Sequence, residues 1–134
     1  MSEQNAWKQL KKELDLRRWA HDRIENRAGM GTPDVNIHVP SVGDVWAELK
    51  FVARLERNGK IDLGLRREQY NWLCAAQRAG RRVKLVARVG VNWYEWATEP
   101  GWLVAKSGVV EWTKLVNHSI VYRDIDSMLR KWQS

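Results

Sequence analysis

The chain has 134 residues, enough for one domain with a real core but not for two. Its 23 Lys and Arg against 16 Asp and Glu leave a formal charge of +7, with arginines along the whole length rather than in a tail, so a polyanionic partner is expected. One cysteine excludes an internal disulfide framework and fits a reducing cytoplasm, His21, His38 and His118 lack zinc spacing, and neither a bilayer-spanning apolar run nor an amino-terminal signal pattern is present.

In chain order, Ser2 can cap a first helix predicted to run to about His21, with Trp7, Leu10 and Leu14 on the face that packs on a sheet and Lys8, Lys11 and Lys12 beside it. A short strand is expected over Arg23 to Arg27. Gly29 and Gly31 then let the backbone turn before Pro33 sets the direction of the next strand. Gly29-Met30-Gly31 lacks the third glycine and the strand-to-helix setting of a dinucleotide fingerprint, which excludes a nucleotide-cofactor site. From Asp34 to Val39, Asp34, Asn36 and His38 share one face and Val35, Ile37 and Val39 the other. Further on, Trp46, Glu48 and Lys50 oppose Val45, Ala47, Leu49 and Phe51. A hairpin folded about Pro40 to Asp44 would set Asp34 opposite Lys50 and Asn36 opposite Glu48. Asp34 and Glu48 would then be diagonal neighbours roughly 7 Å apart, both in reach of one divalent ion at a phosphodiester.

Leu55 to Leu63 places Asn58-Gly59 between two strand-like arms, a strong hairpin signal, and Arg54, Arg57 and Lys60 decorate it. The helix from about Leu65 to Ala79 carries Leu65, Gln69, Trp72, Leu73 and Ala76 on one stripe, with Gly80 as its stop and Cys74 as a small core filler. Gln69 therefore faces the sheet and needs polar partners. Strands are expected over Val83 to Val89 and Asn92 to Ala97, then one or two short strands around Leu103 to Trp112, and a closing helix near Ile125 to Trp132. Most of the nine tryptophans fit cores, and any surplus of large apolar surface would favour a dimer contact; Trp46, on the polar strand face, is the one to consider for base stacking.

Arg23-Ile24-Glu25-Asn26, a glycine-containing loop into Pro33-Asp34, Glu48-Leu49-Lys50 and the downstream Glu68-Gln69 occur in the order found in the PD-(D/E)XK nuclease superfamily. Over about Arg23 to Val89 the chain resembles its small phage-type VRR-NUC and Holliday-junction-resolvase members. The resemblance implies an α/β, restriction-endonuclease-like fold, one nuclease domain over residues 1–134 with a mixed central sheet, and residues 90–134 adding strands and a helix. It further implies a DNA endonuclease dependent on Mg2+ or Mn2+. Asp34, Glu48 and the Leu49 carbonyl would hold the ion, Lys50 would orient and activate the attacking water, and Gln69 would line the site. A third carboxylate would be Glu25, with Glu13 as its rival. DNA contacts are expected from Arg54, Arg57, Lys60, Arg66, Arg67 and Trp46. A homodimeric resolvase of branched DNA is the leading expectation; a monomeric nicking or flap nuclease and a non-catalytic DNA-binding protein of the same fold are the alternatives.

Overall fold

Two stretches of period-two alternation, one after Pro33 and one after Pro40, lie side by side in the middle of a sheet, and the helices close over both its faces. The computed structural model describes residues 3–24 and 31–134. In chain order the elements are α1 (Glu3–Arg17), β1 (His21–Arg23), β2 (Val35–Val39), β3 (Gly43–Val52), β4 (Lys60–Ile61), α2 (Arg67–Arg78), β5 (Arg82–Val89), β6 (Asn92–Trp96), α3 (Glu99–Lys106), β7 (Val110–Glu111), α4 (Trp112–Val116), β8 (Ile120–Tyr122) and α5 (Ile125–Gln133). Six strands form one mixed sheet in the order β1-β2-β3-β5-β6-β8. Among the described strands only β3 and β5 run parallel, because α2 carries the chain back across the sheet between them.

Apolar side chains on the two sheet faces build two cores. Val35, Ile37, Val39, Val45, Ala47 and Leu49 pack with Trp7, Leu10 and Leu14 of α1 and with Met128, Leu129 and Trp132 of α5. On the other face Val83, Leu85, Ala87 and Trp96 pack with Leu73 and Ala76 of α2 and with Trp102, Ala105 and Leu115. Cys74 is buried in this second core, as its neighbours predict. Glu95, buried under α5, accepts hydrogen bonds from Lys84 Nζ (2.7 Å), Trp132 Nε1 (2.5 Å) and Tyr122 OH (3.2 Å), fastening the carboxyl-terminal helix to the sheet. Six of the nine tryptophans are buried within the chain, and Trp46, Trp72 and Trp112 pack partly against the second core. That removes surplus tryptophan surface as a reason to expect a dimer.

Several predicted elements are displaced. The first helix ends at Arg17 rather than His21: Arg18 adopts φ 58°, and Trp19 N–H bonds back to the Leu14 carbonyl (3.0 Å), a left-handed stop without its usual glycine. Gly80 does stop α2 as predicted, with Arg81 N–H bonding to the Ala76 carbonyl (3.0 Å). The first strand occupies His21–Arg23. The proposed cap Ser2 lies outside the described residues. The β2–β3 connection is also tighter than expected. Val42 N–H bonds to the Val39 carbonyl (3.0 Å) around Pro40 and Ser41, and Ser41 takes φ 67°. This is a Pro-led turn with serine in the position that favours glycine. The Asn58-Gly59 turn forms, with Gly59 N–H bonding to the Glu56 carbonyl (2.9 Å) and Glu56 N–H to the Lys60 carbonyl (3.3 Å), but the sheet partner of its outgoing arm β4 is β7. Leu103 lies in helix α3, which Thr98, Glu99 and Pro100 open, and not in a strand. Among the described residues no helix is long and apolar enough to cross a membrane.

Candidate active site

Shortening the connection changes the register. Val35 faces Ala47 and Asn36 faces Trp46, so one further step brings Asp34 directly opposite Glu48 instead of diagonal to it. The shift is by two residues, which preserves the faces: Glu48 and Lys50 still point away from the α1 core, toward α2. Leu49 N–H, beyond the last β2 pairing, donates to Asp34 Oδ2 at 2.7 Å and ties that carboxylate to the β3 backbone. N–H and C=O of one strand residue point to the same side, so the Leu49 carbonyl belongs to the Asp34 side as well.

α2 closes the site from above. Gln69 Nε2 donates to Glu48 Oε2 (2.9 Å), while Gln69 Oε1 accepts from Lys50 Nζ (3.2 Å) and from Arg66 N–H (2.9 Å). The last bond is half of a capping arrangement, so one amide both terminates a helix and orients two site residues. Lys50 Nζ also lies 3.3 Å from Glu48 Oε2 and donates to the Gly64 carbonyl (3.2 Å). Three acceptors surround one ammonium. Gly64 escaped the sequence reading because a backbone oxygen leaves no signature in side-chain pattern.

Asp34, Glu48 and Gln69 are each 5% exposed or less. Burial first, and the neighbouring Asp34 charge second, push the Glu48 carboxyl up to about 8, against the opposing pull of Lys50. Glu48 Oε1 is buried without a hydrogen-bond partner. Two carboxyls facing each other in a nearly dry setting, one with an unsatisfied oxygen, have the donor chemistry of a hard divalent cation's site.

Not every expected residue is brought to this pair. Glu13 ion-pairs with Arg17 (3.6 Å) on α1 and lines a groove with Arg88 and Trp93 on the opposite face of the sheet, so it is not the third carboxylate. Glu25 lies outside the described residues; its predecessor Ile24 donates its N–H to the Asp34 carbonyl (2.8 Å). Among the described residues no group of three Asp, Glu, His or Cys could hold an ion. Arg54, Arg57 and Lys60 are exposed in the segment leaving β3, and Arg66 and Arg67 are exposed at the start of α2. Trp46 is half-buried, its ring 5.4 Å from that of Trp72, over which Arg81 lies.

No family model matches the chain, and no curated protein matches it in sequence. Its fold is similar to that of Hjc, described as a Holliday junction resolvase from the archaeal hyperthermophile Archaeoglobus fulgidus. The TM-score is 0.59 at 13% identity, over 90% of this chain and 93% of that one. The six-stranded mixed sheet flanked by helices is thus a restriction-endonuclease-like fold.

Proposed function

We propose that the protein is a divalent-metal-dependent DNA endonuclease that cuts branched DNA as a homodimer. The observation that carries the reading is the Asp34–Glu48 pair, set across β2 and β3 with Lys50 3.3 Å from Glu48, on a fold similar to that of a resolvase. Two acids beside a phosphate repel it unless a cation intervenes, and a protein that only bound DNA would gain nothing from burying them.

Asp34, Glu48 and the Leu49 carbonyl would hold Mg2+ or Mn2+. When bound, the cation supplies charge neutralisation at the phosphate and a more acidic water. The remaining work falls to the chain. The Leu49 N–H fastens the Asp34 carboxylate to the β3 backbone through Oδ2 and so fixes its aim. Gln69 holds Glu48 through Oε2, which leaves Oε1 free to act as a ligand. Lys50, steadied by Gln69 and Gly64, keeps a positive charge beside the reacting group, where it orients the water and offsets charge growing on the phosphate. Glu25 remains the candidate for a third carboxylate. Arg54, Arg57, Lys60, Arg66 and Arg67 would contact phosphates, and Trp46 would meet a base at the rim.

A cleavage panel of four-way junction, flap, nicked and plain duplex DNA, each with Mg2+, Mn2+ or EDTA, tests the reading. Metal-dependent cutting with a preference for the junction is expected. Absence of cutting on every substrate with either metal would overturn the enzyme assignment; preference for flaps or nicks with a monomeric chain would replace the resolvase by a nicking or flap nuclease.

A further inference from the structure

We infer that Gly31 is a positioning residue of the site: having no side chain, it docks the segment leading into Asp34 directly against the first turn of α2. The inference rests on the proposed nuclease reading. Gly31 is buried at φ +74°, and a Cβ added to it would overlap the Glu68 carbonyl group and come within 2.8 Å of Gln69 N. All of those atoms are backbone, so no side chain can move aside to make room. The other crowded glycines among the described residues differ in kind: Gly43 meets the flexible end of Arg82, and Gly101 meets the Trp96 side chain.

The turn that Gly31 touches is the one that organises the site. Its Gln69 bonds to Glu48 and Lys50 of β3 and to its own cap at Arg66. Gly31, two residues before Pro33 and three before Asp34, brings β2 onto the same turn from the other side. Both carboxylates are therefore referenced to one helical turn, Glu48 through the Gln69 amide and Asp34 through Gly31. A methyl group at residue 31 must push the start of β2 off α2 and move Asp34 relative to Glu48, while leaving the exposed Arg54, Arg57 and Lys60, away from that turn, where they are.

The test compares Gly31→Ala with Gly108→Ala. Gly108 has φ +85° with open space around it, so its alanine variant carries the same backbone strain without the clash. Turnover, KM for junction DNA, DNA affinity in EDTA and the Mn2+ concentration giving half-maximal stabilisation of the DNA-free protein are measured for both. For Gly31→Ala we expect kcat to fall at least tenfold and the half-maximal Mn2+ concentration to rise, with KM and metal-free DNA affinity within about threefold of wild type. Gly108→Ala should match wild type in all four. Equal behaviour of the two variants, or a loss of DNA affinity as large as the loss of kcat, would overturn the inference. Amide exchange of the wild type gives a reading that does not depend on the variant's folding. Addition of Ca2+ should protect Leu49 and the first-turn amides of α2 together, and protection of Leu49 alone would count against the shared docking. Failure of the nuclease reading shows separately, as a wild type that neither cuts DNA nor responds to metal.

Discussion

Glu48→Gln is expected to stabilise the metal-free protein while abolishing its metal response. In the fold the Glu48 carboxyl is pushed up to about 8, whereas in the unfolded chain it titrates near 4.5. Between those values the native state holds a proton that the unfolded state has released, so stability falls as pH rises, by about 1.4 kcal/mol per pH unit. Below 4.5 both states are protonated and no penalty exists; above about 8 both are ionised and the penalty levels off. The total is on the order of 5 kcal/mol, with roughly 3 kcal/mol of it present at pH 7. Glutamine has the same shape. Its oxygen can accept from Gln69 and Lys50 as Glu48 Oε2 does, and its amide can donate toward Asp34, so the variant removes the charge without opening a cavity. Urea denaturation in EDTA from pH 5 to 9 should give a wild type that weakens across the window and a variant lacking that slope. At pH 9 the variant should be the more stable by several kcal/mol. Adding Mg2+ at about a hundred times its dissociation constant should return roughly 2.7 kcal/mol to the wild type and nothing to the variant. Parallel pH slopes for the two proteins, or a variant less stable than wild type at pH 9 in EDTA, would refute the strained carboxyl pair.

Asp34→Asn should abolish cleavage and keep the fold, since its amide oxygen can still accept from Leu49 N–H while the ligand charge is gone; circular dichroism beside a cleavage assay checks it. Lys50→Ala should lower kcat at saturating DNA by about a hundredfold or more with little change in affinity, whereas equal losses in both would make the lysine a phosphate anchor. Replacing Arg54, Arg57 and Lys60 together should weaken junction binding and shallow its salt dependence by up to about three phosphate contacts, read by anisotropy titrations at several salt concentrations. Mixing wild type with Asp34→Asn should leave junctions nicked once if the protein works as a dimer; activity that merely falls in proportion to the inactive fraction would favour independent monomers.

The polar and apolar faces of β2 and β3 were legible in the sequence, because a strand repeats every two residues and one side of each is buried. Gln69 was legible too, as a polar residue on the buried stripe of a helix that Gly80 stops where expected. Register was not legible. It depends on how tightly Pro40 and Ser41 turn, and serine at φ 67° gives no warning that the connection is three residues long. Since the resulting slip is even, it changed which residues face each other without changing their face, turning a diagonal Asp34–Glu48 pair into a directly opposed one. The partner of β4 was hidden for another reason: it is β7, about fifty residues away, and an Asn-Gly turn speaks only for its immediate neighbours. The exclusion of Glu13 is tertiary in the same sense. A helix sequence shows which of its faces is apolar, but not which face of the sheet it will cover, and α1 covers the one opposite Glu48. The residue types and spacing thus defined the chemistry on offer, while turn geometry and the choice of sheet face decided which of those groups meet.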